Sequence, residues 1–155
     1  RELRALEKKL EGSFKYFPFA ISANDELITF YESKSNQSGS LMQDHINVKN
    51  DEILEYKVQG LRIPSLIKKL NLKKVDLLKL DIEGAEYDLL KNTEHKDLLN
   101  IDQIFIEFHH HAVSNYSNKD TNFLVRKLMQ FGYNSFTYDN HNYLFYRDHV
   151  SKLNL

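Results

Sequence analysis

The chain has 155 residues, 41% hydrophobic and 12% aromatic, with five glycines and two prolines, which predicts one folded core and excludes a disordered, collagen-like or low-complexity protein. Twenty-one basic against twenty-two acidic side chains give a formal net charge of -1, so there is no electrostatic footprint for a nucleic acid or an anionic membrane. With no cysteine, disulfides, thiolate zinc and a cysteine nucleophile are excluded; apolar runs are too short for a membrane span, and a cytoplasmic location is expected.

Leu3, Leu6 and Leu10 recur at helical spacing, which predicts an amphipathic helix over 2–11 that ends before Gly12. An aromatic strand follows over 14–22, with Pro18 at its margin, and a second over 27–31; the Asn24-Asp25 turn signal between them reads as a hairpin. Residues 32–44 are small and polar, and read as a tolerated insertion rather than a substrate-side loop. A strand over 53–58 and a short helix over 63–70, with Pro64 in its first turn, come next. Strands over 75–82 and 101–108, separated by a helix over 85–92 and followed by a helix over 120–131, form a βαβα series. Such a crossover makes the two strands parallel, and their dense apolar character predicts helices on both faces. Gly132 ends the last helix, and runs over 134–138 and 142–146 flank the turn Asp139-Asn140-His141, predicting an antiparallel hairpin. No repeat is visible, so the fold class is α/β, a parallel sheet with a C-terminal antiparallel hairpin.

Chemistry concentrates at the ends of the two apolar strands. Lys79, Asp81 and Glu83 alternate onto one face at the carboxyl end of the first, where open α/β sheets bind ligands, and Gly84 permits a tight turn into the helix. Glu86 lies near the positive end of that helix, where a capping role is the plain alternative. On the second strand Glu107 and His109 share a face, so neighbouring strands bring Asp81 and Glu107 together. Two carboxylates and an imidazole there either deprotonate a substrate hydroxyl or hold a hard divalent cation; no motif assigns the cation, and a Lys79–Asp81 ion pair without chemistry is the structural alternative. His109, His110 and His111 point in different directions, so at most two serve one ion, while His45, His95, His111, His141 and His149 read as solvated loop histidines. Neither a Gly-rich phosphate loop nor a GxSxG elbow occurs.

At VDLLKLDIEGAEYDLLK, residues 75–91, the sequence resembles the FkbM family of S-adenosylmethionine-dependent methyltransferases. Phe19-Ala20-Ile21-Ser22 resembles that family's third-strand ending, and Ile106-Glu107-Phe108-His109 its Glu-x-His ending of strand five. The resemblance implies a Rossmann-like class I methyltransferase fold, in which strand seven runs antiparallel between strands five and six. It also implies methyl transfer from S-adenosylmethionine to an oxygen, commonly a hydroxyl of a sugar, glycan or secondary-metabolite-like small molecule. It marks Asp81, Glu83, Glu107, His109 and Lys79 as the catalytic candidates and sets Ala20 and Ile21 against the adenine ring. The family's glycine-containing cofactor loop and the acidic residue that binds the ribose are absent from these residues. The whole span 1–155 therefore reads as an incomplete domain, from strand three onward, lacking two βα units (roughly 50 to 60 residues) and inactive alone. The remaining sheet is expected to be cut in two, with strand four exposed at its edge and strand three orphaned. The alternatives are a degenerate interaction domain without catalysis and a divalent-metal-dependent hydrolase using Asp81, Glu107 and His109.

Overall fold

A computed structural model describes residues 7, 9, 10, 13–34, 39–49 and 52–148. Of the helix expected over 2–11 only residues 7, 9 and 10 fall within that description, with Glu7 and Lys9 helical, and His149 lies outside it. The strands form two mixed four-stranded sheets.

The first sheet has the order β1–β4–β2–β3, with β1 Phe19–Ile21, β2 Leu27–Ser33, β3 Gly39–Ser40 and β4 Ile53–Leu61. Pro18 immediately precedes β1, the position where its missing N–H breaks no ladder bond. The expected hairpin of β1 and β2 does not form, because β4 lies between them: β1 runs parallel to it, Phe19 opposite Gln59, and β2 antiparallel, from Leu27 opposite Gln59 to Ser33 opposite Ile53. The connection from Ser22 to Glu26 passes over the end of β4 instead of closing a turn. Gly60 donates its N–H to Glu26 at 2.8 Å, and a Cβ at Gly60 would lie 2.4 Å from Ser22 Oγ. β1, expected to be orphaned, thus has a partner within the chain. The same connection holds the start of α2 (Ile63–Lys69), where Asp25 accepts from the Arg62 N–H at 2.8 Å and from Ser65 Oγ at 2.6 Å. A four-residue helix α1 (Ile46–Lys49), not anticipated from the sequence, precedes β4.

The second sheet has the order β5–β6–β8–β7, with β5 Val75–Leu80, β6 Ile101–Glu107, β7 Asn134–Thr137 and β8 Asn142–Tyr146. β5 and β6 are parallel, and β8 is antiparallel to both β6 and β7. Helix α3 (Glu86–Asn92) and a 3₁₀ turn (His95–Leu98) join β5 to β6, and α4 (Asn118–Gln130) joins β6 to β7. Capping boxes start the last two, Glu94 with Asp97 and Ser117 with Asp120, and Gly132 ends α4 at φ 86°. Leu80, Leu90, Ile104, Ile106, Leu124 and Phe145 make the core between this sheet and its helices, and Ile63 of α2 joins them. The expectation that helices cover both faces fails for β5, whose Asp76, Leu77 and Lys79 are exposed. Among the described residues no strand lies beyond β5, so its outer edge is open. No helix among the described residues is long and apolar enough to cross a membrane.

Candidate active site

The register of the parallel pair builds the rim of the site. Leu80 of β5 stands opposite Ile106 of β6, so Asp81, just beyond the end of β5, and Glu107, the last residue of β6, come side by side at the sheet's rim. The Asp81 and Glu107 carboxylates and a ring nitrogen of His109 offer ligand atoms that all lie within 4.8 Å of one another. Lys79, one alternation before Asp81, reaches the same carboxylate with Nζ 3.0 Å from Oδ2, and that hydrogen bond and charge hold the Lys79 ammonium above its usual value.

Glu83 arrives by another route. The strand stops at Leu80, and the backbone turns through the left-handed region at Glu83 (φ 53°) and Gly84 (φ 99°) before α3 begins. Strand alternation therefore does not place Glu83; an αL turn does, a conformation that costs a non-glycine residue about 1–2 kcal/mol. Contacts from β3 and from the residue before α1 hold the turn. Ser40 Oγ donates to the Glu83 carbonyl at 2.6 Å, and His45 Nε2 lies 2.9 Å from Glu83 Oε2. A side chain at position 84 would not fit, since a Cβ there would meet Val113 Cγ1 at 2.6 Å.

His109 occupies the centre. Its Nε2 faces Glu83 at 3.5 Å and both Asp81 and Glu107 at 3.9 Å, while Nδ1 lies 3.1 Å from Glu86 Oε1. Glu86 is fully buried and accepts three contacts: the Gly84 N–H at 2.9 Å, the His109 N–H at 2.8 Å and the His109 ring. Burial pulls the His109 imidazole down, but the hydrogen bond to Glu86 and the charges of Glu86, Glu83 and Glu107 outweigh it, so its pKa is raised above the ordinary value. His45 shows the reverse balance, lowered by burial that the nearby Glu83 only partly offsets.

Asp81 and Glu83 also line one side of a cleft of about 490 Å³. Phe17, Phe19, Ala20, Ile21, Phe30, Leu41 and Val58 line it as well. The cleft thus has an apolar body and an acidic end, the usual make-up of a site for a small organic molecule.

All seven residues singled out in the sequence contribute to this region. Three others were not legible. Glu86 read as a helix cap, yet it orients His109 from 23 positions away. His45 read as a solvated loop residue and is buried; Ser40 belongs to the supposed insertion, whose end packs against Glu83. No sequence signal marks either, because each meets its partner only through the tertiary fold. His95 is exposed as expected, but it starts the 3₁₀ turn instead of lying in a loop, with its ring 5.5 Å from that of Phe131. His111 is exposed as expected, whereas His110 turns to the other face, its Nδ1 3.0 Å from Thr121 Oγ1 and its ring stacked on His141 at 4.7 Å.

Comparison with known proteins places this geometry in context. The family described as Methyltransferase FkbM domain matches residues 5–138. The chain is 40% identical over 82 residues to Methyltransferase 1 of Beauveria bassiana, covering 50% of this chain and 32% of that protein. It is 31% identical over 119 residues to the AMB antimetabolite synthetase AmbE of Pseudomonas aeruginosa, covering 64% of this chain and 5% of the synthetase. The match therefore spans about a third or less of either relative. No solved structure matches the chain.

Proposed function

Because this chain belongs to the FkbM methyltransferase domain family, we propose that it forms the acceptor side of an S-adenosylmethionine-dependent O-methyltransferase with a Rossmann-like fold. The acceptor in this reading is a hydroxyl of a sugar, glycan or secondary-metabolite-like small molecule. The observation that carries it is the cleft of about 490 Å³ that Phe19 to Ile21 line together with Asp81 and Glu83. Aromatic and aliphatic side chains suit the flat face of a purine, and the carboxylates of the lining suit a positively charged sulfonium. The residues present therefore fit the adenine and sulfonium parts of the cofactor, with Ala20 and Ile21 against its adenine. When bound, S-adenosylmethionine supplies an electrophilic methyl group.

The chain's own part is to hold the acceptor and take its proton. Glu107 and Asp81, at the open rim, accept the hydroxyl proton, and His109, fixed by Glu86, stabilises the charge there through Nε2. Lys79 keeps Asp81 in place. Glu83, clamped by Ser40 and His45, closes the acidic end of the cleft. The order β5–β6–β8–β7, with β8 antiparallel, supports the same reading of the fold.

The test is calorimetric titration of S-adenosylhomocysteine into this chain and into the full gene product that carries it. Binding by the full product that weakens at least about tenfold in Ile21→Asp supports the proposal. No binding by either overturns it. On a hydroxyl acceptor that the full product methylates, Glu107→Gln lowers kcat by about 10²–10⁴-fold.

A further inference from the structure

We propose that Asp81, Glu107 and His109 form a site for one divalent cation of the Mg²⁺/Mn²⁺ class, with Glu86 as the buried carboxylate that orients the histidine. The first observation is the spacing. Their ligand atoms all lie within 4.8 Å of one another, with Nε2 3.9 Å from both Asp81 Oδ1 and Glu107 Oε1, a triangle only slightly wider than metal–ligand bonds of about 2.1–2.4 Å span, so small side-chain rotations bring one ion within reach of all three.

The second observation is the placement of His109. The side chain is 6% exposed, and its Nδ1 lies 3.1 Å from a carboxylate oxygen that also accepts the His109 backbone N–H. A carboxylate only accepts, so Nδ1 carries a hydrogen, and Nε2 is the ring nitrogen aimed at the rim. Among the described residues Nε2 makes no hydrogen bond there and faces carboxylate oxygens, that of Glu83 at 3.5 Å and those of Asp81 and Glu107 at 3.9 Å. A ring nitrogen fixed by a buried carboxylate through its other nitrogen, and aimed at two acids, is the arrangement that metal-binding histidines use.

Charge argues the same way. Asp81, Glu83 and Glu107 gather around one imidazole, and Lys79 is the ammonium paired with them, on the outer oxygen of Asp81. A divalent ion between Asp81 Oδ1 and Glu107 Oε1 neutralises what Lys79 does not. Two carboxylates with one imidazole, and no sulfur, favour a hard or borderline ion over copper or a thiolate-bound metal. Asp81 faces the cleft, so coordination positions of the ion stay open toward the space where the acceptor enters. The inference deepens the methyltransferase reading by giving the acceptor oxygen a cation to bind, but the ion site stands on this chain's residues alone.

The experiment is titration of Mn²⁺ into the metal-stripped chain, followed by the paramagnetic resonance signal of the free ion and, in the unmodified protein, by broadening of histidine ring signals. The expected result is one Mn²⁺ per chain, selective broadening of His109 over His95, and at least about tenfold weaker binding in Asp81→Asn and in Glu107→Gln. Asp76→Asn, on the exposed part of β5, leaves binding unchanged. Circular dichroism checks that both rim variants fold; should one not, the broadening pattern in the unmodified chain decides. No uptake at millimolar Mn²⁺, uptake unchanged in both rim variants, or broadening centred away from His109 overturns the site. Mn²⁺ bound here by a full gene product that ignores S-adenosylhomocysteine keeps the site and sinks the methyltransferase reading; the opposite pattern does the reverse.

Discussion

Glu86 holds more of the site together than its place at the start of a helix suggests. Its two oxygens satisfy the N–H groups of Gly84 and His109 and fix the His109 ring, all without contact with water. Each buried donor left unpaired costs about 1–3 kcal/mol, so Glu86→Ala is expected to lower the unfolding free energy by several kcal/mol in urea titration. A loss under about 1 kcal/mol would mean that water or another acceptor replaces the carboxylate. Gly84 is the second residue whose identity the geometry fixes. At φ 99°, with Val113 Cγ1 2.6 Å from where a Cβ would stand, Gly84→Ala combines backbone strain with a clash. It should cost more than about 1 kcal/mol and shift the amide resonances of Glu83 and Val113.

Among the elements, the turn between β7 and β8 offers a test of how a side chain sets a strand register. Asp139 accepts from the backbone and side chain of Asn142 and from the His141 N–H, and these bonds push its pKa down to about 2. A depressed carboxyl adds stability that is present above its ordinary value of 3.8 and is lost as pH falls through about 2. Carbon NMR titration of Asp139 should therefore show a midpoint near 2, and Asp139→Ala should remove the acid sensitivity of amide protection in β8. A midpoint at the ordinary value would show that the turn does not depend on this carboxylate. The two strand ends at the active site illustrate the same principle. Parallel register alone, Leu80 opposite Ile106, sets Asp81 beside Glu107, and alternation of apolar and charged residues along 75–82 and 101–108 was enough to read that pairing from the sequence. The β1–β2 arrangement was not readable in this way. A turn signal at 24–25 is local, whereas the nine-residue β4 that takes both neighbours lies some 30 positions further on.

For the molecule as a whole, the open edge is the main liability. β5 has no strand beyond it among the described residues, and Leu77 on it is 53% exposed. Such an edge is a template for intermolecular pairing. Light scattering of this chain is expected to rise with concentration and temperature, and Leu77→Lys to suppress that rise while changing Tm by only a few degrees. Unchanged scattering in the variant would place the sticky surface elsewhere. The periodicity of the sequence by itself determined the βαβα series, the terminal hairpin and the acid–imidazole rim, because strand alternation, helix caps and glycine turns act over a few residues. Only the tertiary structure decided that β4 separates β1 from β2, that Glu83 comes from an αL turn, and that Glu86, His45 and Ser40 support the site. Those contacts join residues 23 to 43 positions apart, and buried polar partners at such distances leave no periodic trace, since their pairing depends on packing rather than on the chain's local pattern.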